Sequence, residues 1–375
     1  FVYEMTGSAL KMTAIGLLQT IPPLLFGPLI GVYLDRLPKK AVMIWVDLLR
    51  AVLTVLIPAL YAMDMLSIEG LYGLIFLTSV VSTVFGPALV SAVLLLVRPS
   101  ELMSANALIQ GTNNIGMLLG PAISGVMIAL INAENVLFVN SATFLLSALC
   151  LMPIRFSIPH VAARDASSSV WDELKVGFRF VFGQQPMVLT LVIISSLYNL
   201  GVSAFVFILP VYAKEFLQVG PVQLGWLWSA LGVGMLAAST WLAWKKQSDM
   251  QGRLRIVVSG MTIGGLAICS LSLLETPLVA AAIVIIVGGS TAVLNPIVWA
   301  VLQEVTPEHL IGRVLTTFSV GSMASAMAGM TGFGWVADAI GPAASVVGLG
   351  LVLLLTAAVA VSCVRRARPV LVAQA

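Results

Sequence analysis

Very few residues in this chain can do more than pack. Lys, Arg, Asp and Glu together make up 9% of its 375 residues, and it has two histidines and three cysteines. Cys150, Cys269 and Cys363 lie inside apolar runs, with neither metal-ligand spacing nor a disulfide pattern. His160 and His309 sit in polar connections far apart and read as solvated loop residues. No nucleophile stands beside a base. GMTIGG (Gly260–Gly265) is glycine-rich, but it lies in an apolar run and lacks the Lys-Ser/Thr ending of a phosphate loop. An enzyme is not expected, and no cofactor or metal is. Two polar groupings remain. One is the charge cluster Asp35, Arg36, Lys39 and Lys40 in GVYLDRLPKK (Gly31–Lys40). The other is a stripe of neutral amides, in which Asn106, Gln110, Asn113 and Asn114 recur at helical spacing with Met117. Other apolar runs add Gln19, Tyr198, Asn199 and Asn295. Their chemistry is reversible: hydrogen bonding and charge pairing, with no covalent step.

The elements that position these residues follow from composition. Apolar residues are 59% of the chain and the mean hydropathy is +1.06. A soluble domain carries roughly 25% charged residues, so lipid is the solvent for most of this chain. A signal peptide does not explain it, because the apolar character runs from end to end. A bilayer core needs about 20 apolar residues as helix, and helix satisfies every backbone group within lipid. Windows of that length predict an all-α membrane protein with eleven spans near 13–34, 42–63, 71–97, 103–131, 135–153, 187–213, 221–244, 254–274, 277–302, 313–337 and 342–364.

Charge assigns the sides. Alternate connections, with the C-terminal tail and Arg50, hold 17 of the 19 Lys and Arg residues, while the opposite set holds only Lys11 and Lys214. The first set is therefore expected in the cytoplasm. The chain then starts outside and ends inside, which suggests a twelfth span ahead of Phe1. The longest polar connection, 154–186, divides residues 1–153 from 187–375. Its ARDASSS portion is too polar and small to pack. Ser169 to Asp172 offers a capping box, and Trp171, Leu174 and Phe178 follow at helical spacing. This segment reads either as an interfacial helix or as an extension of the next span. A weak repeat, PSELMSANAL against TPEHLIGRVL, leads each time into a glycine-rich run, as expected of two related halves.

GVYLDRLPKK resembles the signature loop between the second and third helices of the major facilitator superfamily, with Pro38 where the family has Gly. On that resemblance the chain holds family helices two to six and seven to twelve and lacks the first. ALIQGTNNIGMLLGPAISG (Ala107–Gly125) is similar to the fifth-helix motif of the family's antiporters at Gly116, Gly120, Pro121 and Gly125. VYEMTGSAL, DLLRA, LPVYAKEFL and LQEVTPEHLIGRV, in this order, resemble the macrolide-efflux and enterobactin-exporter branch.

Physical chemistry gives each motif a second description. Gly31 permits close helix approach. Arg36, Lys39 and Lys40 suit a helix C-terminus at an anionic leaflet, and the lysine pair reads equally well as a topogenic cluster. A carboxylate at a helix C-terminus is unfavourable, so Asp35 needs a partner. The helix beginning near 313 offers amides and Arg313. The resemblance implies that this contact bridges the halves and favours the outward-open state. Small residues along Gly116–Gly125 fit close packing, with the span at 221–244 as partner through Gly225, Ser229 and Gly232. The amide stripe serves either as a pathway for apolar cargo or as interhelical bonding, each bond worth about 0.6 kcal/mol.

The resemblance thus implies a monomeric secondary transporter of the plasma (inner) membrane with a cytoplasmic C-terminus. It exports drug- or siderophore-like small molecules by alternating access, with protons as a candidate coupling ion and no nucleic-acid partner. No charged residue lies mid-span in these eleven spans, so coupling falls either to Asp35, Asp47 and Arg50 near the cytoplasmic end or, equally, to a carboxylate on a first helix ahead of Phe1. The rival readings are an uncoupled facilitator or lipid transporter on the same fold, and a membrane protein or fragment that moves nothing.

Overall fold

The computed structural model describes residues 2–34, 37–98, 101–154, 178–183, 186–244, 250–273, 276–307 and 310–372, apart from some side chains within the helices. Its regular elements are α-helices, as the apolar runs demand. They are α1 (Val2–Thr6), α2 (Ala9–Leu34), α3 (Lys39–Ala62), α4 (Ile68–Leu96), α5 (Leu102–Leu151), α6 (Pro186–Glu215), α7 (Pro221–Trp244), α8 (Met250–Leu271), α9 (Pro277–Ala292), α10 (Leu294–Val305), α11 (Ile311–Ile340) and α12 (Pro342–Val372).

Among the described residues nine stretches are long and apolar enough to cross a membrane. One of them, Gly111–Leu151, has 41 residues. At 1.5 Å rise per residue it measures about 62 Å, twice the hydrocarbon thickness. Asn132 divides it, with φ 66° and ψ 162° inside an otherwise helical run. That conformation lies far from the helical region and breaks the run into two arms. Glycine, serine and threonine lower the hydropathy of α11, but its 30 residues are long enough to span. The division at Asn132 and the addition of α11 bring the rods of crossing length among the described residues to eleven.

Local chemistry sets several ends. Ser67 begins α4 by accepting a hydrogen bond from the Gly70 amide at 3.1 Å, which satisfies one of the orphan donors of a first turn. Gly341, at φ 108°, ends α11, and Pro342 starts α12. Pro277 opens α9, where its missing N–H costs nothing.

The chain sorts into two compact units. The first comprises Ile15–Gly116 and Val126–Ser167; the second comprises Val2–Ala14, Met117–Gly125 and Ser168–Ala375. In the first, α3 packs along α4, and Leu34, Met43, Ala88 and Ala92 form a small core. The second is denser. Its α6 packs on α11 and α12, α7 on α9, and α8 on both α9 and α12. Phe205, Ile208, Leu209 and Tyr212 of α6 are fully buried. Tyr212 places its hydroxyl on the Leu271 carbonyl at 2.5 Å, pairing a polar group that lipid would leave unsatisfied.

Candidate functional site

The signature loop is described only in part. Asp35 and Arg36 lie outside the described residues, as does the side chain of Arg313, so the expected Asp35 contact with the start of α11 lies outside them too. The two lysines are described. Lys39 Nζ donates to the Leu34 carbonyl, and Lys40 Nζ donates to the Met152 carbonyl at 2.5 Å. Each closes the C-terminal end of a helix with a cation, which offsets orphan carbonyls and the negative end of the dipole. A place for these cations at a helix C-terminus was expected; that Lys40 serves the end of α5 was not.

Twelve ångströms of helix further on, by about 1.5 Å per residue, α3 carries Asp47 and Arg50. Asp47 is buried, and its Oδ2 accepts from Ser147 Oγ at 2.6 Å. Arg50 Nη1 stands 3.6 Å from Asp47 Oδ1. Arg50 Nε donates to Ser82 Oγ at 2.7 Å. The guanidinium lies 5.2 Å from the Phe85 ring centroid and 5.1 Å from that of Phe144. The second arm of α5 also fixes α3 where Ser141 Oγ donates to the Ala51 carbonyl at 2.7 Å.

The amide stripe falls unevenly. Gln19, Asn113 and Asn114 of the first unit are exposed, while the side chains of Asn106 and Gln110 lie outside the described residues. Ser79 Oγ donates to the Gln19 carbonyl at 3.2 Å. In the second unit Tyr198 is buried and its hydroxyl donates to the Thr291 carbonyl at 2.8 Å. Asn199 spends its amide on the Ser195 carbonyl of its own helix, also at 2.8 Å. The first bond joins α6 to α9, and the second stays within α6. Asn295, beside the break at Val293 between α9 and α10, is exposed.

The antiporter-like run meets α7, but with a rotated face. A Cβ added at Gly116 or Gly120 would meet nothing within 4 Å. These glycines are not where the helices touch. Contact runs instead through Leu118, Pro121, Ala122 and Gly125. A Cβ at Gly125 would stand 2.6 Å from the Pro221 oxygen and 3.1 Å from Gly225 Cα. Ser229 Oγ donates to the Leu118 carbonyl at 2.8 Å. A Cβ at Gly232 would lie 3.3 Å from the Met117 oxygen. That carbonyl is the one Pro121 deprives of its helical donor, so small residues on α7 bring a neighbour close where lipid would be worst.

One polar cluster was missed. Asp338, near the end of α11, accepts from Ser8 Oγ at 2.5 Å, from the Ala9 amide at 2.6 Å and from the Leu10 amide at 3.2 Å. It acts as an N-cap for α2 supplied by another helix. Beside it, Tyr3 donates its hydroxyl to Glu215, and Lys214 Nζ lies 5.4 Å over the Tyr3 ring. Burial first, then the Glu215 carboxylate, push the Tyr3 phenol above its ordinary range. Ser8 ahead of an apolar run is the one local sign of this cap in the sequence; its acceptor lies 330 residues away.

A family model described as the Major Facilitator Superfamily matches residues 3–330. The chain belongs to that superfamily. It is accordingly a multi-pass membrane protein, and superfamily relatives span nearly all of it. A multidrug efflux pump, Tap, of Mycolicibacterium fortuitum is 27% identical over 374 residues, covering 96% of this chain and 88% of its own. Macrolide efflux protein A of Streptococcus pyogenes is 24% identical, covering 86% and 80%. Two solved superfamily structures share the fold at low identity. A bacterial homologue of the iron transporter ferroportin, in an inward-facing state, gives a TM-score of 0.72 at 14% identity, covering 97% of this chain and 92% of that one. The nucleoside transporter NupG gives 0.70 at 15%, covering 96% and 90%.

Proposed function

We propose that this chain exports hydrophobic or amphiphilic small molecules, drug- or siderophore-like, across the bacterial plasma membrane by alternating access in exchange for protons. The observation that carries the reading is its nearly end-to-end similarity to a multidrug efflux pump. The residues support it. Gln19, Asn113, Asn114 and Asn295 are exposed neutral amides on spanning helices, and such groups hydrogen-bond a varied cargo without demanding one charge. Gly125, Gly225 and Gly232 make a helix contact smooth enough to re-form repeatedly. The C-terminus lies in the cytoplasm, following the distribution of Lys and Arg, and the working unit is a monomer.

The absence of a charged residue at mid-span favours a second reading, an uncoupled facilitator. Everted vesicles separate the two. Cells expressing the protein should yield vesicles that accumulate ethidium when their lumen is acid, and Asn113→Leu should cut that rate severalfold while the protein remains in the membrane. Ethidium movement indifferent to the pH gradient favours the facilitator; no movement of ethidium or of a macrolide removes both.

A further inference from the structure

A groove of about 510 Å³ runs through the second unit between α7, α8 and α9, within the roughly 300–1,000 Å³ of small-ligand sites. Its floor is α9, which packs on α7 along one side and on α8 along the other. Glycines bring these helices together. A Cβ at Gly234 of α7 would collide with the Ile285 carbonyl, and one at Gly260 of α8 would stand 2.8 Å from Val293 Cγ2. Gly289, Ala237 and Ala238 then carry too little side chain to fill the wedge, while Ile256, Ile263, Ile286 and Trp241 wall it. Two hydroxyls also line it, and both turn back on their own helices. Ser259 Oγ donates to the Ile256 carbonyl at 3.0 Å, and Ser290 Oγ donates to the Val287 carbonyl at 2.7 Å. With its hydroxyls so engaged, the groove gives water little to bond. Left empty, an apolar wedge forfeits dispersion contacts that a hydrocarbon chain would supply.

The two ends of the groove differ. α7 ends at Trp244 and α8 begins at Met250, and the connection between them carries Lys245 and Lys246 on the side assigned to the cytoplasm. Nearest that side lie Trp241 of α7, Ile256 of α8 and Val293 of α9; Gly234, Ile263 and Ile285 lie deeper. Seven residues separate the two levels on α7 and on α8, about 10 Å of helix. Because Gly260 faces α9, helical spacing puts Ser259 on the open edge of α8. Arg255, which is exposed, stands one turn before Ser259 on that edge. Arg253, on the other side of α8, is paired with Glu304 at 2.7 Å. On α7, Trp241 and Trp244 are exposed. Indole rings and a basic side chain at the cytoplasmic mouth of an apolar groove match the order of a lipid, with its chain inward and its phosphate at the interface.

We propose that this groove holds one anionic phospholipid of the cytoplasmic leaflet, with an acyl chain between α7 and α8 over α9 and the phosphate on Arg255. The site is independent of the cargo and of the coupling ion; it rests on the side assignment made from Lys and Arg. A guanidinium pairs with phosphate through two parallel N–H donors, and the negative charge of the leaflet supplies lipids of the matching sign. The bound chain ties α7 to α8 across α9 and fills the space that Gly289, Ala237 and Ala238 leave.

Brominated acyl chains quench indole fluorescence on contact, so Trp241 reports on the groove as the difference between wild type and Trp241→Phe. In vesicles of brominated phosphatidylcholine that difference signal should be quenched. Unbrominated phosphatidylglycerol should relieve the quenching about fivefold more effectively than unbrominated phosphatidylcholine does, the contribution of one basic residue at an anionic leaflet. Arg255→Gln should bring that ratio close to one while quenching persists. Ala237→Phe, at an exposed position, should fill the groove and abolish the preference with Arg255 still in place. A wild-type ratio of one, or a preference that survives Arg255→Gln, would overturn the proposal. So would quenching of Trp241 by aqueous iodide, which would make the groove a water path. Shielding of Trp241 from lipid and iodide alike would overturn it too, since a protein surface would then cover the groove.

Discussion

Alanine at Gly225 and alanine at Gly120 should behave in opposite ways, although both glycines lie on helices that meet each other. A Cβ at Gly225 would stand 2.6 Å from the Pro121 carbonyl oxygen and 3.2 Å from Gly125 Cα. Both neighbours are backbone, so neither can swing aside and α7 has to move. Such overpacking costs about 1–3 kcal/mol. Against it, replacing glycine by alanine in a helix contributes up to about 1 kcal/mol. At Gly120 the new Cβ meets nothing within 4 Å, so only the helical gain remains. Subtracting one variant from the other cancels that gain and leaves the contact, about 1–3 kcal/mol in favour of Gly120→Ala. The assay is thermal unfolding of the purified variants in detergent, followed by tryptophan fluorescence. Gly225→Ala should unfold several degrees below Gly120→Ala. Gly125→Ala should parallel Gly225→Ala, and the double variant should cost less than the two single losses together, because one displacement relieves both. Equal unfolding temperatures, or a lower one for Gly120→Ala, would refute the contact assigned to Gly125 and Gly225.

Asp338→Ala removes the cap on α2 and should cost about 0.5–2 kcal/mol, seen as faster amide exchange at Ala9 and Leu10; unchanged exchange would mean the carboxylate caps nothing. Because the folded state raises the Tyr3 phenol, its contact with Glu215 should be intact below the ordinary tyrosine range of about 10 and be lost only as pH climbs past the raised value. Ultraviolet titration against Tyr3→Phe reads this directly, and an ordinary phenol there would contradict it. Single cysteines placed near Leu66 or Asn132 should react with an impermeant reagent from outside, and ones at Ser168 or Asp249 should not; the reverse pattern would invert the topology.

The sequence made the spans legible because lipid imposes one length and one backbone solution on all of them. The bend at Asn132 was legible for the same reason, since 41 apolar residues are too many for one crossing. Which face of a span meets which neighbour was not. Small residues occur on both sides of the Gly116–Gly125 run, and in lipid an outward face is as apolar as an inward one, so no periodicity marks the contact. Of the three glycines expected at the contact, Gly125 meets Gly225, whereas Gly116 and Gly120 proved open and Pro121 and Ala122 stand in the contact instead. Tyr198 and Asn199 read either as pathway residues or as interhelical bonds, because a polar side chain at mid-span needs a partner. Tyr198 bonds the Thr291 carbonyl, and no rule of spacing picks out a backbone acceptor on another helix; Asn199 bonds the Ser195 carbonyl, four residues back on its own helix. Asp338 was overlooked because it belongs to a connection in sequence and becomes a cap only through the pairing of α11 with the start of α2.

The central claim is efflux driven by a proton gradient, and everted vesicles carrying this protein test it most directly. With an acid lumen they should accumulate ethidium, and collapsing the pH gradient with nigericin should release it at once. Accumulation that is absent, or that survives nigericin unchanged, would contradict the account.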